Sequence, residues 1–100
     1  MDTVVLSVNN VSIRLTDERW VHITEEHCEL AGLRLEVLET IGHPARILAG
    51  GAGEVLAVKE ISLGKHLVVV YRKILKDGFI ITAFLTSKTQ ALLRRKQLWP

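Results

Sequence analysis

Cysteine is nearly absent from this chain of 100 residues, since Cys28 stands alone. A single cysteine excludes an intrachain disulfide and is typical of a protein kept in a reducing compartment. Long apolar runs are absent too, so no segment is predicted to span a bilayer. The first residues lack a basic region, and Ser7, Asn9 and Asn10 interrupt their apolar run, which is unlike a secretion signal. We therefore expect a cytoplasmic protein with no membrane partner.

Neither positive nor negative charge predominates in the sequence. The chain has 13 lysines and arginines against 11 aspartates and glutamates, for a net charge of +2. This balance does not require a nucleic-acid partner, which usually needs a clustered basic patch. Local basic clusters do occur, at Arg94, Arg95 and Lys96 and at Lys65, Arg72, Lys73 and Lys76. Such clusters are typical of a solvated surface as well as of an RNA contact.

Metal ligands are too few and too scattered to predict a zinc site. His22 and His27 are five residues apart on one predicted helix, which places them about 140° apart around its axis. Cys28 follows His27 directly, and neighbouring helical residues point about 100° apart, so the two cannot form a catalytic dyad. We expect no metal and no cofactor.

The order of helical and strand patterns predicts one α+β domain over residues 1–100. Nearly half of the residues are apolar and 24% are charged, as in globular proteins. Strands are predicted over 3–8, 11–15, 46–49, 54–61, 66–72 and 79–86, and helices over 17–27, 30–41 and 89–98. Because helices precede the main run of strands, we expect them on one face of a small antiparallel sheet of about four strands.

The strand pair 66–72 and 79–86 is the most informative part of the chain. On the second strand, Phe79, Ile81, Ala83 and Leu85 form an apolar stripe that predicts the core face. Residues 76–78, Lys-Asp-Gly, fit a three-residue hairpin loop. That loop would place Arg72 opposite Thr82, on the face away from the core.

Arg72, Thr82 and Thr86 therefore make a candidate site on that face. A guanidinium presents a planar fork of donors that suits a phosphate, and threonine hydroxyls can orient one. Glu54 or Lys59 on the neighbouring strand would join them, but the register there leaves open which of the two faces the same way. The alternative is an ordinary cross-strand pair exposed to solvent.

Two histidines of the first helix are the other candidates. His22 lies on a stripe with Glu18 and Glu26, whose carboxylates favour the charged imidazolium. His27 falls on the apolar side with Trp20 and is either functional or a core histidine. Histidine, glutamate, threonine and arginine on one concave face would suffice for RNA cleavage without a metal, because that reaction needs a base, an acid and a cation.

Three runs of the chain resemble the barnase–EndoU–colicin–RelE-like nuclease group, in its small phage and bacterial members. They are 15–23 (LTDERWVHI) followed by His27, 67–72 (LVVVYR) and 79–88 (FIITAFLTSK). The resemblance covers roughly residues 11–95, and the stretch ITAFLTSK is its best marker. The chain departs from the group at Cys28, where a proline is expected after the histidine.

The resemblance implies a toxin-like, metal-independent endoribonuclease that acts on RNA and pairs with a small antitoxin-like protein. The residues it assigns to the catalytic site are His22, His27, Arg72, Thr82 and Thr86, with Glu54 as a weaker match. The alternative is a non-catalytic module of the same fold that binds protein or RNA. Trp20, Trp99 and the basic C-terminal segment would serve that interface.

Overall fold

Thr16 starts the first helix, as the sequence predicts. The structure, a computed structural model, describes residues 2–100, and α1 spans Asp17–Glu26. The Thr16 hydroxyl accepts a hydrogen bond from the backbone N–H of Arg19 at 3.0 Å, which satisfies a free donor of the first turn. Glu18 adds negative charge where the helix dipole favours it. The prediction of this helix is confirmed.

The second helix begins later than its apolar pattern predicts. After α1 the chain makes a 3₁₀ turn at Cys28–Leu30, and α2 spans Arg34–Gly42. Gly32 lies between them with φ +86°, a left-handed backbone that interrupts a helix. Within residues 2–100, no helix is long and apolar enough to cross a bilayer.

Seven strands of residues 2–100 form one mixed sheet with the order β1-β2-β6-β5-β4-β3-β7. They are β1 Thr3–Leu6, β2 Ser12–Leu15, β3 Arg46–Ala49, β4 Val55–Ser62, β5 Lys65–Ile74, β6 Asp77–Thr86 and β7 Gln97–Trp99. All neighbours are antiparallel except β2 and β6, which run parallel. The α+β class is confirmed, but the sheet is larger than the four strands expected, and it is mixed rather than antiparallel.

Both ends of the chain enlarge the sheet. At one edge the N-terminal hairpin joins because β2 pairs with the start of β6, where Ile13 lies opposite Gly78. At the other edge β7 pairs with β3, and the Ala49 N–H donates to the Lys96 carbonyl at 2.8 Å. The helix predicted over 89–98 is therefore wrong in its second half. Only α3, Gln90–Leu93, is helical, since pairing with β3 outweighs a weak helical preference.

The two faces of the sheet are covered unequally. We call the face under α1 and α2 the helical face; the main core lies there and includes Ile23, Val37, Ile41, Ala57, Val69, Tyr71 and Ala83. We call the opposite face the outer face; there Leu92 of α3 packs with Leu48, Leu56, Val58 and Val68. The expectation that every helix lies on one face is thus wrong for α3.

The turn between β5 and β6 differs from the predicted loop. Ile74 lies opposite Asp77, so the turn is made by Leu75 and Lys76, and Arg72 lies opposite Phe79. The predicted pairing of Arg72 with Thr82 is wrong. The chain instead uses Gly78 inside the strand. A Cβ there would lie 2.5 Å from the Arg72 carbonyl oxygen and 2.7 Å from Ile13 Cδ1, so only glycine lets β2 approach.

A β-bulge then restores the predicted faces further along β6. The register shifts between Val70 and Tyr71, which lie opposite Thr82 and Ile80, so Ile81 is the extra residue. Ile80 is buried on the helical face at 1% exposure, whereas Phe79 is 42% exposed. The predicted core stripe is correct for Ala83, which is buried, and for Leu85, which packs against the main core, and it is wrong for Phe79.

Candidate functional site

The outer face of β5 and β6 gathers most of the predicted site residues. Val70 lies opposite Thr82, Val68 opposite Phe84 and His66 opposite Thr86. Because side chains alternate along a strand, these residues and Arg72 all point to the outer face. Arg72 is a diagonal neighbour of Thr82 there, a separation typically of about 7–8 Å. Leu92 of α3 covers the adjoining Val58 and Val68, and leaves the β6 side half-exposed.

His27 joins this face at the edge of β6. Within residues 2–100, β2 pairs only with Asp77–Phe79 of β6 and α1 contacts β6, so the end of α1 lies at that edge. The His27 ring centroid lies 6.2 Å from the Phe84 ring centroid. Its Nδ1 lies 3.7 Å from Glu29 Oε2. His27 is thereby brought to the stretch of β6 between Thr82 and Thr86.

Arg72 and Glu54 meet at the turn that joins β3 to β4. Arg72 Nη2 donates to the Ala52 carbonyl at 2.9 Å, and Glu54 Oε1 accepts from the Ala52 N–H at 2.6 Å. The pKa of Glu54 is lowered from its ordinary value, mainly by the backbone hydrogen bond from Ala52 and by one from its own N–H. Burial opposes this shift, and the charges of Arg72 and Arg95 add to it. The site thus holds a carboxylate beside a guanidinium.

Two predicted site residues lie elsewhere. His22 is on the exposed side of α1, where its Nε2 lies 2.7 Å from Glu26 Oε1. Lys59 points to the helical face, because the neighbouring Val58 points to the outer face, and its Nζ lies 3.6 Å from Glu39 Oε1 of α2. Glu54, and not Lys59, is therefore the residue that lies on the same face as Arg72.

His66 is a residue that the sequence analysis did not name as a site candidate, although it begins the predicted strand 66–72. It lies opposite Thr86 on the outer face, and its Nε2 lies 4.0 Å from Glu60 Oε2. Its Nδ1 is buried, and within residues 2–100 it has no hydrogen-bond partner. A cavity of about 270 Å³ lies beside it, lined also by Arg46, Val58, Glu60, Thr89 and Leu92. The alternation of residues 66, 68, 70 and 72 was the signal that could have found it.

The outer face gathers residue types that other proteins use to bind phosphate and to transfer protons. The half-exposed strip of the outer face runs from His27 and Phe84, past Thr82, to Arg72 and Glu54. It offers an imidazole, hydroxyls, a guanidinium and a carboxylate within one surface. Among residues 2–100, no group of three or more His, Cys, Asp or Glu side chains is arranged to hold a metal ion.

No known protein family, curated protein or solved structure matches this chain. The resemblance to the nuclease group therefore rests on the residues of the three runs alone.

Proposed function

We propose that the protein is a metal-independent endoribonuclease of the toxin-like kind that the sequence resembles. The main support for this proposal is the contact between the His27 ring and the Phe84 ring. Phe84 lies between Thr82 and Thr86 in β6, and all three point to the face that also holds Arg72. Transesterification of RNA needs a proton donor and a cation, and His27 and Arg72 would supply them from two different elements.

The proposed reaction is attack of a ribose 2′-oxygen on the adjacent phosphorus. Glu54 accepts the 2′-hydroxyl proton, the new O–P bond forms, and the bond to the 5′-oxygen breaks. His27, acting as the general acid, protonates the leaving 5′-oxygen. Arg72 stabilises the charge that builds on the phosphorane, and Thr82 and Thr86 orient the phosphate. The products are a 2′,3′-cyclic phosphate and a free 5′-hydroxyl.

The test is an RNA cleavage assay in EDTA with three variants. His27→Ala and Arg72→Ala should each lose at least about tenfold in rate, because one electrostatic donor to a transition state commonly contributes a few kcal/mol. His22→Ala is the matched control, since His22 lies on the exposed side of α1. Activity that disappears in EDTA, or that falls as much in His22→Ala as in His27→Ala, would contradict the proposal.

One observation favours a second candidate, a non-catalytic RNA-binding module. Arg72 already donates to the Ala52 carbonyl and lies beside Glu54, so part of its bonding capacity holds the β3–β4 turn. A binding module would retain RNA with a strong dependence on salt and without cleavage. Binding of single-stranded RNA that weakens in Arg72→Ala, with intact RNA recovered, would favour this candidate.

The biological setting that we propose is cytoplasmic, with RNA and a small antitoxin-like protein as partners. An active ribonuclease should slow the growth of a bacterial host on expression, and co-expression of the inhibitory partner should restore it. Normal growth on expression of the wild-type protein alone would favour the binding module.

A further inference from the structure

The turn between β3 and β4 has almost no side chains. Residues 50–54 are Gly-Gly-Ala-Gly-Glu, and we call them the glycine turn. The fold accounts for Gly50 and Gly53, because a Cβ on Gly50 would collide with the Glu54 side chain and Gly53 has a φ of +94°. Gly51 has neither constraint, since a Cβ there would meet nothing within 4 Å. The fold therefore does not require a bare backbone at Gly51.

Two arginines from different elements contact this turn and the residue before it. Arg72 Nη2 donates to the Ala52 carbonyl at 2.9 Å, and Arg95 Nη1 donates to the Ala49 carbonyl at 3.3 Å. Ala49 and Ala52 are three residues apart, so their Cα atoms are separated by at most about 11 Å. A guanidinium has five N–H donors, so both arginines keep donors for a ligand. The two cations thus stand side by side along one short segment.

The glycine turn also presents backbone donors. Gly51 and Gly53 are exposed, and within residues 2–100 their N–H groups have no hydrogen-bond partner. Glu54 is the one acidic residue of the turn, and its Oε1 accepts from the Ala52 N–H. Two guanidiniums against this one carboxylate leave the segment positively charged. Guanidiniums and the N–H groups of a turn are both typical ligands of phosphate.

We propose that the glycine turn is a second phosphate subsite, which binds the RNA phosphate adjacent to the one that is cleaved. Arg95 and the N–H groups of Gly51 and Gly53 bind that phosphate, while Arg72 binds the scissile one. The bare backbone at Gly51 lets the sugar–phosphate chain approach closely. The substrate is then an RNA strand with at least two consecutive phosphates, and in naming it this inference rests on the proposed function.

The first test compares cleavage of a dinucleoside monophosphate, which has a single phosphate, with cleavage of a hexanucleotide. We expect Arg95→Ala to raise KM for the hexanucleotide by about tenfold with kcat nearly unchanged, as loss of a hydrogen bond to a charged group does. Both constants for the dinucleoside should stay at the wild-type values. Arg19→Ala, which removes an equally exposed arginine from α1, is the control and should change neither substrate. Equal losses on both substrates in Arg95→Ala would show a structural role only and would overturn the proposal.

The second test measures binding of a 2′-O-methyl hexanucleotide, which cannot be cleaved by attack of its 2′-oxygen, over a range of salt concentrations. Arg95→Ala should make the plot of log K against log salt shallower by about 0.7, the value for one phosphate contact of a single strand. Arg95→Lys should retain the wild-type slope because the charge remains, and Arg19→Ala should retain it too. A slope unchanged in Arg95→Ala would overturn the subsite. A nucleoside diphosphate that competes as well as the strand would overturn its assignment to RNA.

A side chain at Gly51 tests the close approach of the strand. Gly51→Leu should weaken binding of the 2′-O-methyl hexanucleotide by about tenfold or more through a steric clash. Its Tm should match that of wild type, because the new side chain enters open space in the free protein. Ser62→Leu adds the same side chain at an exposed position at the other end of β4 and should bind as wild type does. Equal binding by the two variants would overturn the proposal.

These measurements let the two proposals fail separately. A protein that binds the 2′-O-methyl strand with the expected effects of Arg95→Ala and Gly51→Leu, but leaves RNA intact, contradicts the proposed ribonuclease alone. A protein that cleaves the hexanucleotide with the same KM in wild type, Arg95→Ala and Gly51→Leu contradicts this inference alone.

Discussion

Individual side chains on the outer face have structural as well as chemical roles. Arg72 is the clearest case, because its guanidinium holds the Ala52 carbonyl while the proposed reaction needs it for phosphate. Glu54 is similar, since its carboxylate accepts from the Ala52 N–H and lies beside Arg72. Substitution of either residue therefore requires a measurement of stability alongside a measurement of activity.

Glu54 makes the stability of the protein dependent on pH. Its pKa is lowered below 4.5 in the folded state, mainly by the backbone hydrogen bond from Ala52. Its stabilising contribution is therefore fully present above the unfolded pKa and is lost as the pH falls through the folded pKa. We expect wild type to exceed Glu54→Gln in free energy of unfolding near neutral pH, and the difference to shrink below about pH 4.5.

Urea denaturation at neutral pH and at about pH 3 measures the difference in free energy of unfolding between wild type and Glu54→Gln. Glu25→Gln, an exposed residue of α1, is the control and should change stability little at either pH. A wild-type advantage that persists or grows in acid would show that the Glu54 contacts do not stabilise the ionised carboxylate.

At the scale of elements, the bulged strand β6 decides where the site lies. Its first part pairs with β2 through Gly78, and its second part carries Thr82, Phe84 and Thr86 on the outer face. The sequence was sufficient to assign this alternation and the Thr16 cap of α1, because both depend on neighbouring residues. It was not sufficient for the turn, because Gly78 lies inside β6 between β5 and β2, and the pairing with β2 is distant in the chain.

Gly78→Ala tests this account of the strand. The new Cβ would lie 2.5 Å from the Arg72 carbonyl oxygen, a backbone atom that can move only with its strand. We expect a loss of about 2 kcal/mol or more in the free energy of unfolding, as overpacked sites show. The measurement is chemical denaturation, with Gly51→Ala as the control because a Cβ there meets nothing within 4 Å. Equal stability of the two variants would contradict the observed register.

At the scale of the whole molecule, the sheet joins segments that local patterns cannot connect. The α+β class follows from the order of elements, but the extra strands arise from pairing of the chain ends with β6 and β3. The same long-range pairing leaves α3 on the outer face. His27 was predictable as a candidate, whereas its contact with Phe84 depends on how α1 lies against the edge of β6.

The most direct test of the central claim is analysis of the products from one RNA oligonucleotide and its fully 2′-deoxy counterpart, both incubated in EDTA. We predict that wild type cleaves the ribose substrate to fragments ending in a 2′,3′-cyclic phosphate, identified by mass, and leaves the deoxy substrate intact. His27→Ala should accumulate these fragments at least about tenfold more slowly than His22→Ala. Cleavage of the deoxy substrate, fragments that never carry a cyclic phosphate or the 3′-phosphate it hydrolyses to, or intact RNA with folded wild-type protein would contradict the account.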